Sequence, residues 1–187
     1  SMDRLMEIEN SEKEESGEQI MLKAPAGISV DHISFRYPDG KGWIFHDFSY
    51  DFKPGSRTAI VGETGIGKST LIRLILSLLK PNGGEIRIYN ESESRVTSAL
   101  TRNNLVYVPQ GNTLFSGTVR ENLLMGDPGA DDRQMWAVLD VAEAGFVRSL
   151  PGGLDARIGE IGAGLSEGQA QRIAIARGLL RPGSILL

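Results

Sequence analysis

Four residues stand at a spacing that suits phosphate chemistry: Gly62, Gly67, Lys68 and Ser69, within Ile60 to Leu71, "IVGETGIGKSTL". They fit the pattern Gly-x-x-x-x-Gly-Lys-Ser. Glycine lacks a Cβ, so the backbone can take positive φ and approach an anion closely. Successive N–H groups then point inward at the positive end of the helix that follows. Lys68 supplies a mobile cation for the outer phosphates, and the Ser69 hydroxyl can ligate Mg²⁺. The candidate cradle comprises Gly62, Glu63, Thr64, Gly65, Ile66, Gly67, Lys68, Ser69 and Thr70. Average composition gives such a match by accident in fewer than about one chain in a hundred. Alone, the pattern does not separate ATPases, GTPases and small-molecule kinases.

A second cluster is Leu165-Ser166-Glu167-Gly168-Gln169, followed by "AQRIAIARGLLRP". Ser166 suits an N-cap, and Gln169 three residues on completes a capping box. The spacing predicts a helix over Ser166 to Leu180, with Ile173, Ile175, Ala176, Leu179 and Leu180 as its apolar residues. Helix punctuation is a sufficient local account of this cluster.

The elements that must hold these residues follow from periodicity. Ile28 to Tyr37 is β-rich and ends at Pro38-Asp39-Gly40. His46 to Phe52 alternates Phe48, Tyr50 and Phe52 with polar residues, as a half-buried strand does. Thr58 to Val61 reads as a strand buried on both faces. Lys68 to Leu79 is expected to be helical, stopped by Pro81 and Gly83-Gly84. Glu85 to Tyr89 is a further strand, residues 90–104 are ambiguous, and Leu105 to Val108 is a strand running into Pro109-Gln110. Helices are expected over Thr118 to Met125 and Asp131 to Ala144, then a glycine-rich loop over Gly145 to Ala163. Ser184 to Leu187 begins another apolar strand. An antiparallel opening followed by alternating strands and helices predicts a β subdomain joined to an α/β core.

Composition bounds the function. The 187 residues are 40% hydrophobic and 24% charged, ordinary for a globular domain. There are no cysteines, so no disulfide framework. No apolar run approaches the roughly 18 residues that cross a bilayer. Residues 1–25 carry seven acids and three bases, leaving the remainder neutral. This acidic lead is expected to be a solvated linker, and Ser1 before Met2 has the form of a tag remnant. A neutral body lacks the basic surface that nucleic-acid binding usually requires.

With these stretches in hand, the chain resembles the ATP-binding cassette (ABC) family. "LSEGQ" is similar to that family's LSGGQ signature, with Glu167 in place of the first glycine. Phe35-Arg36-Tyr37-Pro38 resembles its A-loop, and Val108-Pro109-Gln110 its Q-loop. "TLFSGTVRENL" and "ARIGEIGAGLSEGQ" (with Gly159-Glu160) are similar to the exporter-type branch. These motifs run in the family's order from Phe35 to Pro182.

The resemblance implies an α/β P-loop NTPase core with an antiparallel β subdomain and an α-helical signature subdomain around 111–180, all within 26–187. It implies ATP and Mg²⁺ as ligands, Tyr37 stacked on adenine, and Ser69 and Gln110 on the metal. It implies head-to-tail pairing with a second ATPase domain, where Ser166, Glu167, Gly168 and Gln169 serve the partner's ATP. Gly111 to Met125 would meet a transmembrane domain, placing the chain at the cytoplasmic face of a membrane. The family's pattern continues beyond a strand like Ser184-Ile185-Leu186-Leu187 with an Asp that supports Mg²⁺, a general-base Glu and a switch His. None is found here, so no catalytic residue is identified, and the expectation is a chain cut before those carboxylates that binds nucleotide but hydrolyses it poorly. His32 and His46 precede the P-loop and read as ordinary surface or strand residues. The alternative from another class is a soluble ABC-type ATPase not linked to transport. An unrelated P-loop GTPase or kinase lacks support from any Asn-Lys-x-Asp stretch.

Overall fold

The computed structural model describes residues 14–40, 42–111, 113–159 and 164–187. The chain divides into two compact units, Ser1–Asn103 and Asn104–Leu187.

The first unit is built on an antiparallel sheet of four strands in the order β2-β1-β3-β4. These are β1 (Gly27–Phe35), β2 (Phe45–Phe52), β3 (Gly83–Tyr89) and β4 (Ser94–Val96). Ile28 pairs with Phe52 on one side and Ile88 on the other, and Val30 pairs with Tyr50 and Ile86. Period-two burial follows: Ile28, Val30, Ile86 and Ile88 are buried while Ser29 and Arg87 between them are only partly so. The pairing is interrupted between Val30 and Ile33. There His32 and Asp47 both hold positive φ, and their side chains meet at 2.6 Å.

Helix α1 (Lys68–Ile75) buries Thr70, Leu71, Leu74 and Ile75. It stops four residues short of the Leu79 expected from the apolar pattern, because Ser77 turns left-handed at φ 53°. The Leu78 and Leu79 N–H groups then fold back onto the Arg73 carbonyl at 2.9 and 3.3 Å. Arg102 closes this helix end, donating to the Leu76 and Ser77 carbonyls at 2.9 and 3.3 Å. Glu14 in turn pairs with Arg102 at 2.7 Å. Of the acidic lead, residues 1–13 lie outside the described residues. Its later part is attached to this unit: Leu22 is buried, and the Ile20 N–H donates to the Leu100 carbonyl at 2.8 Å.

Thr58 to Val61 is not a strand, which corrects the sequence expectation. The residues are exposed, Val61 at 85%. Apolar composition alone cannot make a buried strand. It needs a ladder on each side, and this segment belongs to none of the described sheets.

The second unit holds a parallel pair, β5 (Leu105–Val106) with β8 (Ile185–Leu186), and an antiparallel pair, β6 (Gly117–Thr118) with β7 (Arg157–Ile158). Three helices, α2 (Val119–Leu124), α3 (Asp132–Val141) and α4 (Glu167–Leu179), surround its core. Val119, Leu123, Met135, Leu139, Val147 and Ile173 are the fully buried centre. All three helices open on capping boxes: Thr118 with Glu121, Asp131 with Gln134, and Ser166 with Gln169. The expected loop over Gly145 to Ala163 contains 3₁₀ turns at Gly145–Ser149 and Gly153–Asp155 and the strand β7. Residues 160–163 of that stretch, Glu160 among them, lie outside the described residues. Among the described residues no helix is long and apolar enough to cross a membrane.

Candidate nucleotide site

The glycine-rich loop forms in the first unit. Gly62, Gly65 and Gly67 all have positive φ, at 154°, 89° and 111°. Gly67 is the N-cap of α1 and supplies no side chain to cap it. The first intrahelical bond runs from the Leu71 N–H to the Gly67 carbonyl, 2.9 Å. Lys68, Ser69 and Thr70 therefore present first-turn N–H groups with no intrahelical acceptor, at the positive end of the helix dipole. Gly67 is required twice over: its φ is left-handed, and a Cβ there would come within 2.7 Å of the Ile44 side chain. Ile44 and Phe45 thus wall the loop. Sequence reasoning missed that contact, because nothing local links residue 44 to residue 67.

Lys68 bends back across the loop. Its Nζ donates to the Gly62 and Glu63 carbonyls, both at 2.7 Å. The ammonium is thereby held over the concave side of the turn, where a phosphate oxygen can replace a carbonyl as its partner. Glu63, Thr64, Ile66 and Ser69 are exposed, with Ile66 at 60%, so the rim of the loop is open.

Tyr37 is tied to the same helix. Its hydroxyl lies 3.2 Å from Thr70 Oγ1. Its ring meets Phe35 edge-on, centroids 5.0 Å apart at 82°. The Thr70 hydrogen bond, with a smaller contribution from the Arg73 guanidinium, draws the phenol below its ordinary value. The half-buried ring is thus fixed in orientation by Phe35 and in position by the helix that starts at the loop.

The remaining predicted residues lie in the second unit. Gln110 is exposed, in a bend just after Pro109. Ser166, Glu167 and Gly168 are exposed at the start of α4, with Gln169 half-buried. The Ser166 Oγ accepts the Gln169 N–H at 3.2 Å, and Gln169 Oε1 accepts the Ser166 N–H at 2.9 Å. Capping uses the Ser166 hydroxyl only as an acceptor, so its own proton stays available to an outside anion.

The stretch from Gly111 to Met125 is shaped by a residue the sequence reading did not single out. Asn122 is buried; it donates to the Phe115 and Thr118 carbonyls at 2.9 and 3.0 Å and accepts the Phe115 N–H at 2.9 Å. That grip holds Phe115 with 56% of its surface exposed. Arg177 donates to the Thr113 carbonyl and hydroxyl at 3.1 and 2.9 Å, and its guanidinium lies 5.9 Å from the Phe115 ring centre. Tyr107, Phe115, Met125, Arg177 and Arg181 line a shallow cavity of about 250 Å³. Asn122 lay in plain view within "VRENL", but a polar residue on a short helix gives no sign from sequence that it is buried.

A left-handed glycine turn with a lysine folded over it, feeding a helix N-terminus, defines a P-loop nucleotide-binding domain. A family model described as "ABC transporter" matches residues 45–187, and the chain belongs to that family. It is similar to the multidrug resistance ABC transporter ATP-binding and permease protein of Lactococcus lactis, 37% identical over 191 residues, covering 100% of this chain and 32% of that protein. It is similar to the mycobactin import ATP-binding/permease protein IrtB of Mycolicibacterium smegmatis, 38% identical over 166 residues, covering 88% and 28%. A solved structure described as a bacterial Atm1-family ABC exporter with ATP bound superposes with a TM-score of 0.83 at 32% identity, covering 99% of this chain and 33% of that one. The chain therefore spans about a third of the length of these relatives.

Proposed function

We propose that this chain is the ATP-binding domain of an exporter-type ABC transporter, which couples ATP binding and hydrolysis to movement of a substrate across a membrane. The observation that carries the reading is the Lys68 ammonium, held over the loop by the Gly62 and Glu63 carbonyls at 2.7 Å beside uncapped N–H groups. The family binds ATP. In the proposed site the N–H groups of Gly65 to Thr70 and the Lys68 ammonium neutralise the triphosphate, and Tyr37 stacks on the adenine. Ser69 and Gln110 are the protein oxygens offered to Mg²⁺, hard donors of the kind that ion takes. The ion would supply charge neutralisation between the outer phosphates.

Partners are part of the proposal. Ser166, Glu167, Gly168 and Gln169 serve the ATP of a second copy, paired head to tail. The stretch from Gly111 to Met125, whose Phe115, Ser116, Glu121 and Met125 are exposed, is offered to the permease part with the Arg177 cavity beside it, and the domain then sits at the cytoplasmic face. Residues 26–187 act as one ATPase domain, with 111–180 as its helical subdomain. The names of the L. lactis and M. smegmatis relatives, which join ATP-binding to permease, support this.

Thermal unfolding tests the nucleotide site. Ligand that binds only the folded chain at about 100 times its Kd adds about 2.7 kcal/mol of stability. Mg-ATP is expected to raise the Tm of the wild-type chain and to leave Lys68→Ala unchanged. An equal shift in the two would reject the assigned site.

A further inference from the structure

The signature helix α4 also reaches the segment that carries Gln110. The Gln171 Nε2 donates to the Pro109 carbonyl at 3.4 Å. The other end of the same amide, Oε1, is buried and has no hydrogen-bond partner among the described residues. Further along the helix, a Cβ at Gly178 would come within 3.0 Å of Val108 Cγ2 and 3.2 Å of Val106 Cγ1. The helix backbone therefore lies directly against the strand that leads to Pro109. α4 holds this strand end by two grips, close apolar contact at Val106 and Val108 and one polar contact at Pro109.

We infer that Gln171 is a positioning residue for Gln110, so that one helix sets both the Ser166 to Gln169 turn and the backbone on which Gln110 stands. The role given to Gln110 rests on the function proposed above; the tie to Pro109 does not. A buried acceptor without a donor is unfavourable, and an apolar side chain would fill the same space without it. The neighbours Ala170, Ile173 and Ala174 on this helix are of that apolar kind and are buried. What the amide adds is direction. Pro109 has no N–H, so its carbonyl is the only backbone polar group by which a side chain can hold it. Fixing that carbonyl fixes the peptide plane shared with Gln110. Gln171 touches neither nucleotide nor metal in this scheme and acts through Pro109 alone.

Backbone ¹⁵N relaxation on the 187-residue chain tests the tie. In Gln171→Leu the Gln110 and Gly111 amides are expected to fall from the order parameter of rigid backbone, about 0.85, toward the flexible range below about 0.6. Order parameters within Ile173 to Gly178 should stay as in wild type, which reports that the helix itself is intact. Gln171→Glu is the second variant. As a carboxylate it cannot donate to Pro109 and should match Gln171→Leu, while at a pH low enough to protonate it the O–H should restore the wild-type order parameters, which Leu cannot do. Unchanged Gln110 and Gly111 order parameters in both variants overturn the inference. ATP titration with and without Mg²⁺ separates the two readings. Wild type should gain affinity with the metal, and Gln171→Leu should lose part of that gain, the rest staying with Ser69, while binding metal-free ATP as before. No metal-dependent gain in wild type counts against Gln110 as a ligand, and leaves the tie to be judged on the order parameters alone.

Discussion

Tyr37 carries two separable contributions, a hydroxyl bonded to Thr70 and a ring held by Phe35. Tyr37→Phe removes only the first and should lower stability by about 0.5–1.5 kcal/mol with ATP affinity retained. Tyr37→Ala removes the stacking face, and aromatic–base stacking of about 1–3 kcal/mol corresponds to roughly a 5- to 150-fold loss of ATP affinity. Fluorescent-nucleotide titration of both variants checks this, and equal affinities for Ala and Phe would remove Tyr37 from the adenine site. His32 offers a second single-residue test. Its hydrogen bond to Asp47, then the charges of Asp47 and Asp31, raise its proton affinity above the ordinary value near 6.5. A raised folded pKa means stability that is fully present below the unfolded pKa and is lost as pH rises through the folded one. The pair is exposed, so the effect is small. Wild type should lose slightly more Tm than His32→Asn between pH 6 and 9, with Asn chosen because it tolerates the left-handed backbone at this position. Parallel profiles would show the pair to be idle.

At the scale of elements, what the sequence revealed was local and what it hid was not. The capping box at Ser166 and Gln169 was legible because both partners lie within one turn. The glycine loop was legible because φ preference belongs to the residue itself. The exposure of Val61 was hidden, since a strand's burial depends on partners elsewhere in the chain. So was the early stop of α1, where Leu78 and Leu79 continue the apolar pattern but Ser77 reverses the backbone. Arg102, which closes that end, comes from the far side of the β3–β4 hairpin. Asn122 shows what such hidden contacts are worth. Its three hydrogen bonds pin the turn before α2. Asn122→Ala strands buried groups and should cost about 2–4 kcal/mol in urea unfolding, against about 1 kcal/mol for loss of the exposed cap in Thr118→Ala. If Asn122→Ala proved no worse than Thr118→Ala, the turn would be held by something other than this side chain.

At the scale of the whole molecule, the proposal is that ATP is shared between two copies, and Ser166 separates that idea from simple helix capping. Its Oγ accepts the Gln169 N–H at 3.2 Å, and only its remaining proton is free for a phosphate on the partner. Ser166→Ala loses both roles: the cap, at about 1 kcal/mol, and the donor. Ser166→Asp loses one. Aspartate caps helices as well as serine and suits the positive end of α4. It brings no proton at neutral pH, however, and sets a negative charge where a phosphate would arrive. The expected outcome is a wild-type Tm for Ser166→Asp without ATP, ATP binding at the P-loop intact, and ATP-dependent dimerisation lost in analytical ultracentrifugation. Addition of a Lys68→Ala copy makes the arrangement directional. A mixed pair of Lys68→Ala and Ser166→Asp chains retains one unaltered composite site only if each site draws its P-loop from one chain and its Ser166 from the other. In that case the mixture dimerises more than either variant alone. If sites were built within a single chain, mixing would add nothing, and head-to-tail sharing would be rejected even with the P-loop assignment intact.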